Sequence, residues 1–333
     1  MGIQNFTKGL WPVVNIFLNV IVPVLVVAAA GAGLQRWKKL SAAPFGHMML
    51  YLLSPALVLD SLANAEMPLM ASGRIVLGVL LMSVVLVAIC VSLSRILGHG
   101  RSMQGAFLLT TLFPNVGNMG LPIALLAFGE QGLAVAVMIY AAQAIIGWSL
   151  GVYVAARSHP GGFSPLKQTL RLPVLWAIAA ALLLRATGTE LPAALAKPIH
   201  MLGQASVPVM LLILGFQLEK GVALDRWPSL VAALAVRLIG SAFIAYLVGA
   251  ALGLEGVTQQ TFIVVSAMPA AVFITIIATE FQTEPRFVSS VVIASTLLSF
   301  VSLTMLVAFL QGGRRYSRRA AEFFQGEVER GRP

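Results

Sequence analysis

Thr110-Thr111-Leu112-Phe113-Pro114-Asn115-Val116-Gly117-Asn118-Met119-Gly120-Leu121-Pro122 lies inside an apolar run, yet no ordinary helix can be built from it. Two prolines, two glycines and two asparagines fall within nine residues. A proline in a helix interior removes a backbone donor and clashes with the preceding turn, at about 3 kcal/mol. A glycine there costs about 1 kcal/mol relative to alanine. Within lipid, such backbone is tolerated only where it is buried in protein or lines a cavity. An unwound segment exposes carbonyls that suit a cation, and half-helix N-termini whose free N–H groups and positive dipole ends suit an anion. Asn115 and Asn118 add donors and acceptors without formal charge. The competing reading is a kinked packing helix whose asparagines bond its neighbours. A second break, Ser266-Ala267-Met268-Pro269-Ala270-Ala271, occupies the equivalent place in the other half of the chain and favours a built site.

Lipid is the environment that the composition demands. Apolar residues make up 59% of the 333 and charged residues 10%, against about 25% charged in a soluble domain. Runs of about 20 apolar residues, each long enough to cross a hydrocarbon core, recur along the chain. Open sheets would leave edge groups unpaired in lipid, so the spans are helices. No polar stretch is long enough for a soluble domain, which predicts one membrane domain over 1–333. Cys90, the only cysteine, excludes an intrachain disulfide and a cysteine metal cluster, and reads as a small buried hydrophobe. The net charge of +10 sits mostly in short loops, where topology explains it without nucleic acid. The first apolar run is too long for a signal peptide, and its cationic residues (Arg36, Lys38, Lys39) follow it.

Ten spans are expected, near 11–34, 43–64, 73–96, 104–128, 132–156, 172–187, 199–218, 229–253, 259–280 and 287–310. The longest loop, Ser158 to Lys167, marks the middle. With the N-terminus outside, eleven Lys and Arg residues fall in inner loops (Arg36, Lys38, Lys39, Arg95, Arg101, Arg157, Lys167, Arg171, Lys220, Arg226, Arg286) and four in outer ones (Lys8, Arg74, Arg185, Lys197), as the positive-inside rule requires. The basic tail, 311–333, runs against that count; Arg314 to Arg319 fits anionic lipid.

The chain also repeats. Val22-Pro23-Val24-Leu25 matches Leu172-Pro173-Val174-Leu175, Pro55 matches Pro208, Gln104/Phe107/Pro114 match Gln259/Phe262/Pro269, and Glu130 matches Glu284. The offsets, 150, 153, 155 and 154 residues, are nearly constant. Five spans per repeat is an odd number, so residues 172–310 would insert upside down relative to 11–156. Inverted repeats with broken equivalent helices are the pattern of secondary transporters, whose sites lie near the midplane. The fold class expected is an all-α polytopic membrane protein of two inverted five-helix repeats, with helices 4 and 9 broken where they cross.

Pro114 to Pro122, Gly129-Glu130, Met268-Pro269 and the stretch from Glu280 to Ser299 resemble the auxin efflux carrier family, which includes plant exporters and bacterial malonate and malate permeases. The resemblance covers essentially the whole chain. It implies a fold like that of sodium/bile-acid symporters, a scaffold of spans 1, 2, 6 and 7, and a moving unit of spans 3–5 and 8–10. It further implies carboxylate substrates and a homodimer packed through the scaffold. Asn115 corresponds to the asparagine at the crossing in the plant exporters. The long hydrophilic central loop of those exporters is missing here, so neither its regulation nor auxin itself is implied.

The expected substrate site comprises Asn115, Asn118, Gly117, Met268, Ala270 and Ala271, with Pro114, Gly120, Pro122 and Pro269 making the breaks. Arg237, about nine residues into span 8, is read first as a snorkelling or carbonyl-bonded side chain and second as a counter-charge for an anion. Asp60, Glu130, Glu280 and Glu284 fall near span ends. No other carboxylate sits mid-span, which disfavours a proton relay. No cofactor is implied; Na⁺ coupling through carbonyls and hydroxyls would use Thr110, Ser295 and Thr296, and potential-driven uncoupled transport is equally compatible. Tyr140 and Gln143 are candidates to face the crossing. Scattered histidines and the lack of a nucleotide loop or nucleophile–base pair give no enzyme signature. The function expected is a carrier of small mono- or dicarboxylates, such as malonate or malate, in the cytoplasmic membrane, with the moving unit sliding on its scaffold. The alternatives are a Na⁺-coupled symporter of larger amphipathic acids and a non-transporting receptor, for which the short tail offers little output surface.

Overall fold

The computed structural model describes residues 11, 13–40, 42–64, 69–146, 173–217 and 226–330. The expected central loop Ser158–Lys167, the last third of span 5, and Lys8, Arg157, Arg171 and Lys220 lie outside the described residues. Every regular element described is helical, and the one β-bridge described joins Pro114 to Ala270. In chain order the helices are α1 (Val22–Lys38), α2 (Ala42–Met48), α3 (Ser54–Ala63), α4 (Leu69–Ile96), α5 (Arg101–Leu112), α6 (Leu121–Ile146), α7 (Pro173–Thr187), α8 (Ala193–Gln217), α9 (Trp227–Leu234), α10 (Ser241–Ala251), α11 (Gly256–Ser266), α12 (Phe273–Glu280) and α13 (Pro285–Arg330).

Seven helical stretches among the described residues are long and apolar enough to cross a bilayer, and α7 is a shorter apolar helix. The chain is therefore a multi-pass membrane protein. The stretches at 104–128 and 259–280 carry the breaks expected of them: each stops at its proline motif and restarts. One of the seven, Val116–Ala144, turns at Gly129 (φ 67°, ψ −161°), a conformation open to glycine and closed to most other residues. The last helix does not end near 310; its backbone continues to Arg330, because Arg, Ala, Glu and Gln beyond the apolar stretch are all good helix formers. The bulky apolar side chains left outside (Val26, Leu183, Ile239, Phe243, Phe309) are those a lipid solvent would cover.

Local geometry follows the prolines. Pro23 and Pro55 each sit one residue into a helix, and each is preceded by a five-residue π-helical turn, Phe17–Ile21 and Met49–Leu53. A proline ring cannot accommodate the carbonyl four residues back, and widening the turn relieves that clash. Helix α1 closes on Lys39 in the left-handed region, with Arg36 and Lys38 in its last turn, where cations complement the negative dipole end.

Two groups of helices result. In the first, α1 packs on α8, and α3 packs on both α7 and α8. Glycines set the α1–α8 distance: a Cβ at Gly31 would overlap the Leu212 carbonyl, and one at Gly215 would overlap that of Ala28. Close backbone approach through small residues drives helix association in lipid, where apolar burial gives little. Ser206 Oγ donates to the Leu53 carbonyl at 2.8 Å, and His200 Nδ1 meets Asp60 Oδ2 at 2.8 Å, tying α8 to the α3 segment. In the second group, α4 packs on α5, α6 and α10, and α11 packs on α6, α10 and α13. The groups meet where α8 touches the turn Val116–Gly120 and α3 touches α6.

Substituting Gly215→Ala is expected to destabilise the protein by about 1–3 kcal/mol through overpacking. Gly33→Ala, where a Cβ meets nothing within 4 Å, is the control. Apparent melting temperatures in detergent check this; equal values for the two variants would refute the close packing of α1 on α8.

Candidate functional site

The two breaks meet in the protein interior. Helix α5 stops at Leu112, Phe113 is extended (φ −104°, ψ 103°), and the chain restarts as a π-helical turn, Val116–Gly120, that leads into α6. Helix α11 stops at Ser266, and α12 begins at Phe273. Between them, Phe113–Asn115 and Pro269–Ala271 run antiparallel: Asn115 N–H donates to the Pro269 carbonyl at 2.7 Å, and Ala271 N–H donates to the Phe113 carbonyl at 2.9 Å. Each interrupted helix thus satisfies backbone groups of the other. Phe113, Met268, Ala270 and Ala271 are fully buried, so these groups have no solvent to turn to.

Arg237 joins the same place from the turn Ala235–Gly240 between α9 and α10. Its side chain is 0% exposed. Nη1 donates to the Thr111 carbonyl at 2.6 Å and Nη2 donates to the Ser266 carbonyl. Both acceptors belong to the last turn of a half-helix, where carbonyls lack intrahelical partners and carry the negative end of the dipole. Of the readings open from sequence, snorkelling is ruled out and bonding to carbonyls is observed.

The other side of the crossing carries donors. Asn115 is 4% exposed; its Oδ1 accepts from Asn118 N–H at 3.3 Å, capping the restarted helix, while its Nδ2 is buried with no partner. Gly117 lies beside the Tyr140 ring, where a Cβ would come within 3.3 Å of it. Tyr140 bonds to the Ser54 side chain, a residue that composition alone did not single out, although it precedes Pro55. Gly120 packs near Met268. Pro122, one residue into α6, needs no N–H there. Gln143 lines a narrow cleft of about 10 Å³, room for about one water, with Val79, Met82, Leu112, Pro114 and Arg237, and its Oε1 is buried without a partner.

The candidate hydroxyls each make bonds of their own. Ser295 Oγ accepts from Ala270 N–H at 3.1 Å, which braces the second break. Thr110 donates to the Ala106 and Phe107 carbonyls and Thr296 to that of Val292, each within its own helix. No group of three or more His, Cys, Asp or Glu side chains that could hold a metal exists among the described residues. Thr111 was not singled out for a role, yet Cys90 Sγ lies 2.8 Å from its Oγ1 and its carbonyl holds Arg237. Backbone acceptors leave no mark in residue identity, so only the position just before the break pointed to it.

One titratable group stands at the mouth of this helix group. His99, in the loop between α4 and α5, places Nδ1 3.0 Å from Ser94 Oγ and Nε2 2.8 Å from Ser229 Oγ. Burial lowers its pKa below the ordinary histidine value, and Arg226 adds to the effect. A depressed pKa in the folded state means that the unfolded chain takes up the proton first as pH falls. The stability contribution is complete above about pH 6.5 and is lost as pH falls from there towards the folded-state pKa. The melting temperature is therefore expected to fall more steeply from about pH 7.5 to about pH 5 in the wild type than in His99→Asn. Parallel slopes would show that His99 does not titrate in this way.

A family model described as membrane transport protein matches residues 16–164 and 162–307. An uncharacterized transporter of Methanocaldococcus jannaschii is 26% identical over 206 residues, 60% of this chain and 67% of that protein. An uncharacterized transporter of Methanothermobacter thermautotrophicus is 27% identical over 192 residues, 57% of this chain and 63% of that protein.

Proposed function

Since the chain belongs to the membrane transport protein family, that of the auxin efflux carriers, we propose that it is a secondary carrier of small organic acid anions, mono- or dicarboxylates of the size of malonate or malate. The observation that carries this reading is the unpartnered, buried amide of Asn115 at the start of a restarted helix. An unmet donor there costs about 1–3 kcal/mol, a cost that a bound carboxylate oxygen would remove. The positive dipole end of the same helix favours an anion. Asn118, Gly117, Met268, Ala270 and Ala271 would complete the site, with Gln143 as a further polar candidate.

The proposal takes the chain as ten spans in two inverted repeats, 11–156 and 172–310, with spans 4 and 9 crossing at their breaks. The group of α4–α6 and α9–α13 would slide against α1, α3, α7 and α8, carrying the site from one face to the other. The glycine-tight packing of α1 on α8 supports a rigid scaffold, and the same scaffold is the face through which two copies would pair. The hydroxyls of Thr110 and Thr296 donate within their own helices; a Na⁺-coupled symporter of larger acids is the second reading, and Na⁺-dependent stabilisation would favour it. We place the carrier in the cytoplasmic membrane.

The test is thermal stabilisation of the purified chain by a panel of carboxylates. A ligand bound only by the folded state at 100 times its Kd adds about 2.7 kcal/mol. Malonate or malate is expected to raise the melting temperature of the wild type and to leave Asn115→Ala unmoved. A dicarboxylate that stabilises both equally would sink the site assignment, and no response to any acid would sink the substrate class.

A further inference from the structure

Arg237 is a buried cation without a carboxylate. The ion pairs among the described residues are His200–Asp60 and Arg226–Glu284; Arg237 has two backbone carbonyls instead, those of Thr111 and Ser266. Thr111 is the last residue but one of α5, and Ser266 is the last of α11. Two helix C-termini therefore converge on one guanidinium. Each carries about half a negative charge, so together they match a single monovalent cation. Carbonyls at the ends of broken helices are the groups with which inverted-repeat carriers hold a coupling cation. The guanidinium makes the bonds that such an ion would make.

We infer that Arg237 is a tethered counter-cation: it occupies the cation position of the crossing, so the carrier closes this site without dissolved Na⁺, and removing the side chain opens a binding site for a monovalent cation. A planar guanidinium ion fits that vacated site best, since it can donate to both carbonyls as the two Nη atoms do. Arg237 is thus a positioning residue that sets ion dependence and does not touch substrate. What the inference means for coupling rests on the carrier reading above; its structural half stands on the two bonds.

The experiment measures apparent melting temperatures of the full chain in detergent, in sodium, potassium and choline chloride at equal ionic strength, with and without low-millimolar guanidinium chloride. The wild type is expected to melt at one temperature in all three salts and to ignore guanidinium. Arg237→Ala leaves two buried carbonyls unmet and is expected to melt about 5–10 °C lower, recovering much of the loss in guanidinium and none in choline. Na⁺-specific stabilisation of the wild type overturns the inference, as does an Arg237→Ala protein that ignores guanidinium. Should Arg237→Ala not purify even with guanidinium present, Arg237→Lys decides: it keeps the tethered charge, so its melting temperature should be equal in Na⁺ and choline, and a Na⁺ dependence overturns the inference. A wild type that binds no carboxylate defeats the anion-carrier reading and leaves these cation results as they stand.

Discussion

Backbone groups in the membrane interior must find partners inside the protein, and at the crossing of α5–α6 with α11–α12 this constraint is met only jointly. An interrupted helix leaves about four N–H and four carbonyl groups without intrahelical partners, each costing several kcal/mol if unmet in hydrocarbon. Phe113–Asn115 and Pro269–Ala271 supply one another with two backbone bonds, Ser295 supplies a third, and Arg237 takes one carbonyl from each side. Neither break is affordable alone. Burying Arg237 at mid-span costs about 2.5–3.5 kcal/mol on insertion scales, and two charge-assisted bonds return about 1.5–3 kcal/mol each. The arginine is retained because the carbonyls need it as much as it needs them.

Packing divides the molecule by the same logic of backbone distance. Where Gly31 and Gly215 bring α1 and α8 together, the backbones are as close as sterics permit, and any relative motion would meet a carbonyl. Around the crossing the contacts are of another kind: a water-sized cleft lies beside Gln143 and Pro114, and a polar contact crosses the groups from Tyr140 to Ser54. A hydroxyl pair can break and re-form with small loss, whereas interlocked backbones cannot slide. The stiff group and the group that holds the breaks thus differ in what would have to yield for either to move.

How much of this could be seen in the sequence depends on whether the signal sits in side chains. Pro114, Pro122 and Pro269 declare the breaks because proline changes the backbone wherever it stands, and the common offset of about 154 residues said that the breaks belong together. The role of Arg237 was legible only as a choice among readings, since its partners are carbonyls and any residue could supply them. Span length alone says less than the proline motifs do. Hydropathy placed the apolar stretches but not where the backbone stops: the proline motifs marked the breaks within 104–128 and 259–280, and the apolar span near 287–310 left unseen that helix propensity carries the backbone on to Arg330. Residue type made Thr110 and Thr296 candidates but could not show that each hydroxyl donates to the carbonyl one turn back, as both do.

The crossing is electrically lopsided, and this bears on which ligand it can hold. Four half-helix ends approach one place. The two C-terminal ends have their negative poles met by a permanent guanidinium that cannot diffuse away or titrate near neutral pH. The N-terminal end at Val116–Gly120 has its cap from Asn115 but keeps an amide donor unmet. With the negative poles neutralised from within, the field that remains at the crossing is that of the positive ones. An anion placed there would meet that field and a donor already buried without a partner. On the reading proposed above, selectivity by sign would then need no charged residue in contact with the ligand, only helix ends whose opposite poles are met from within.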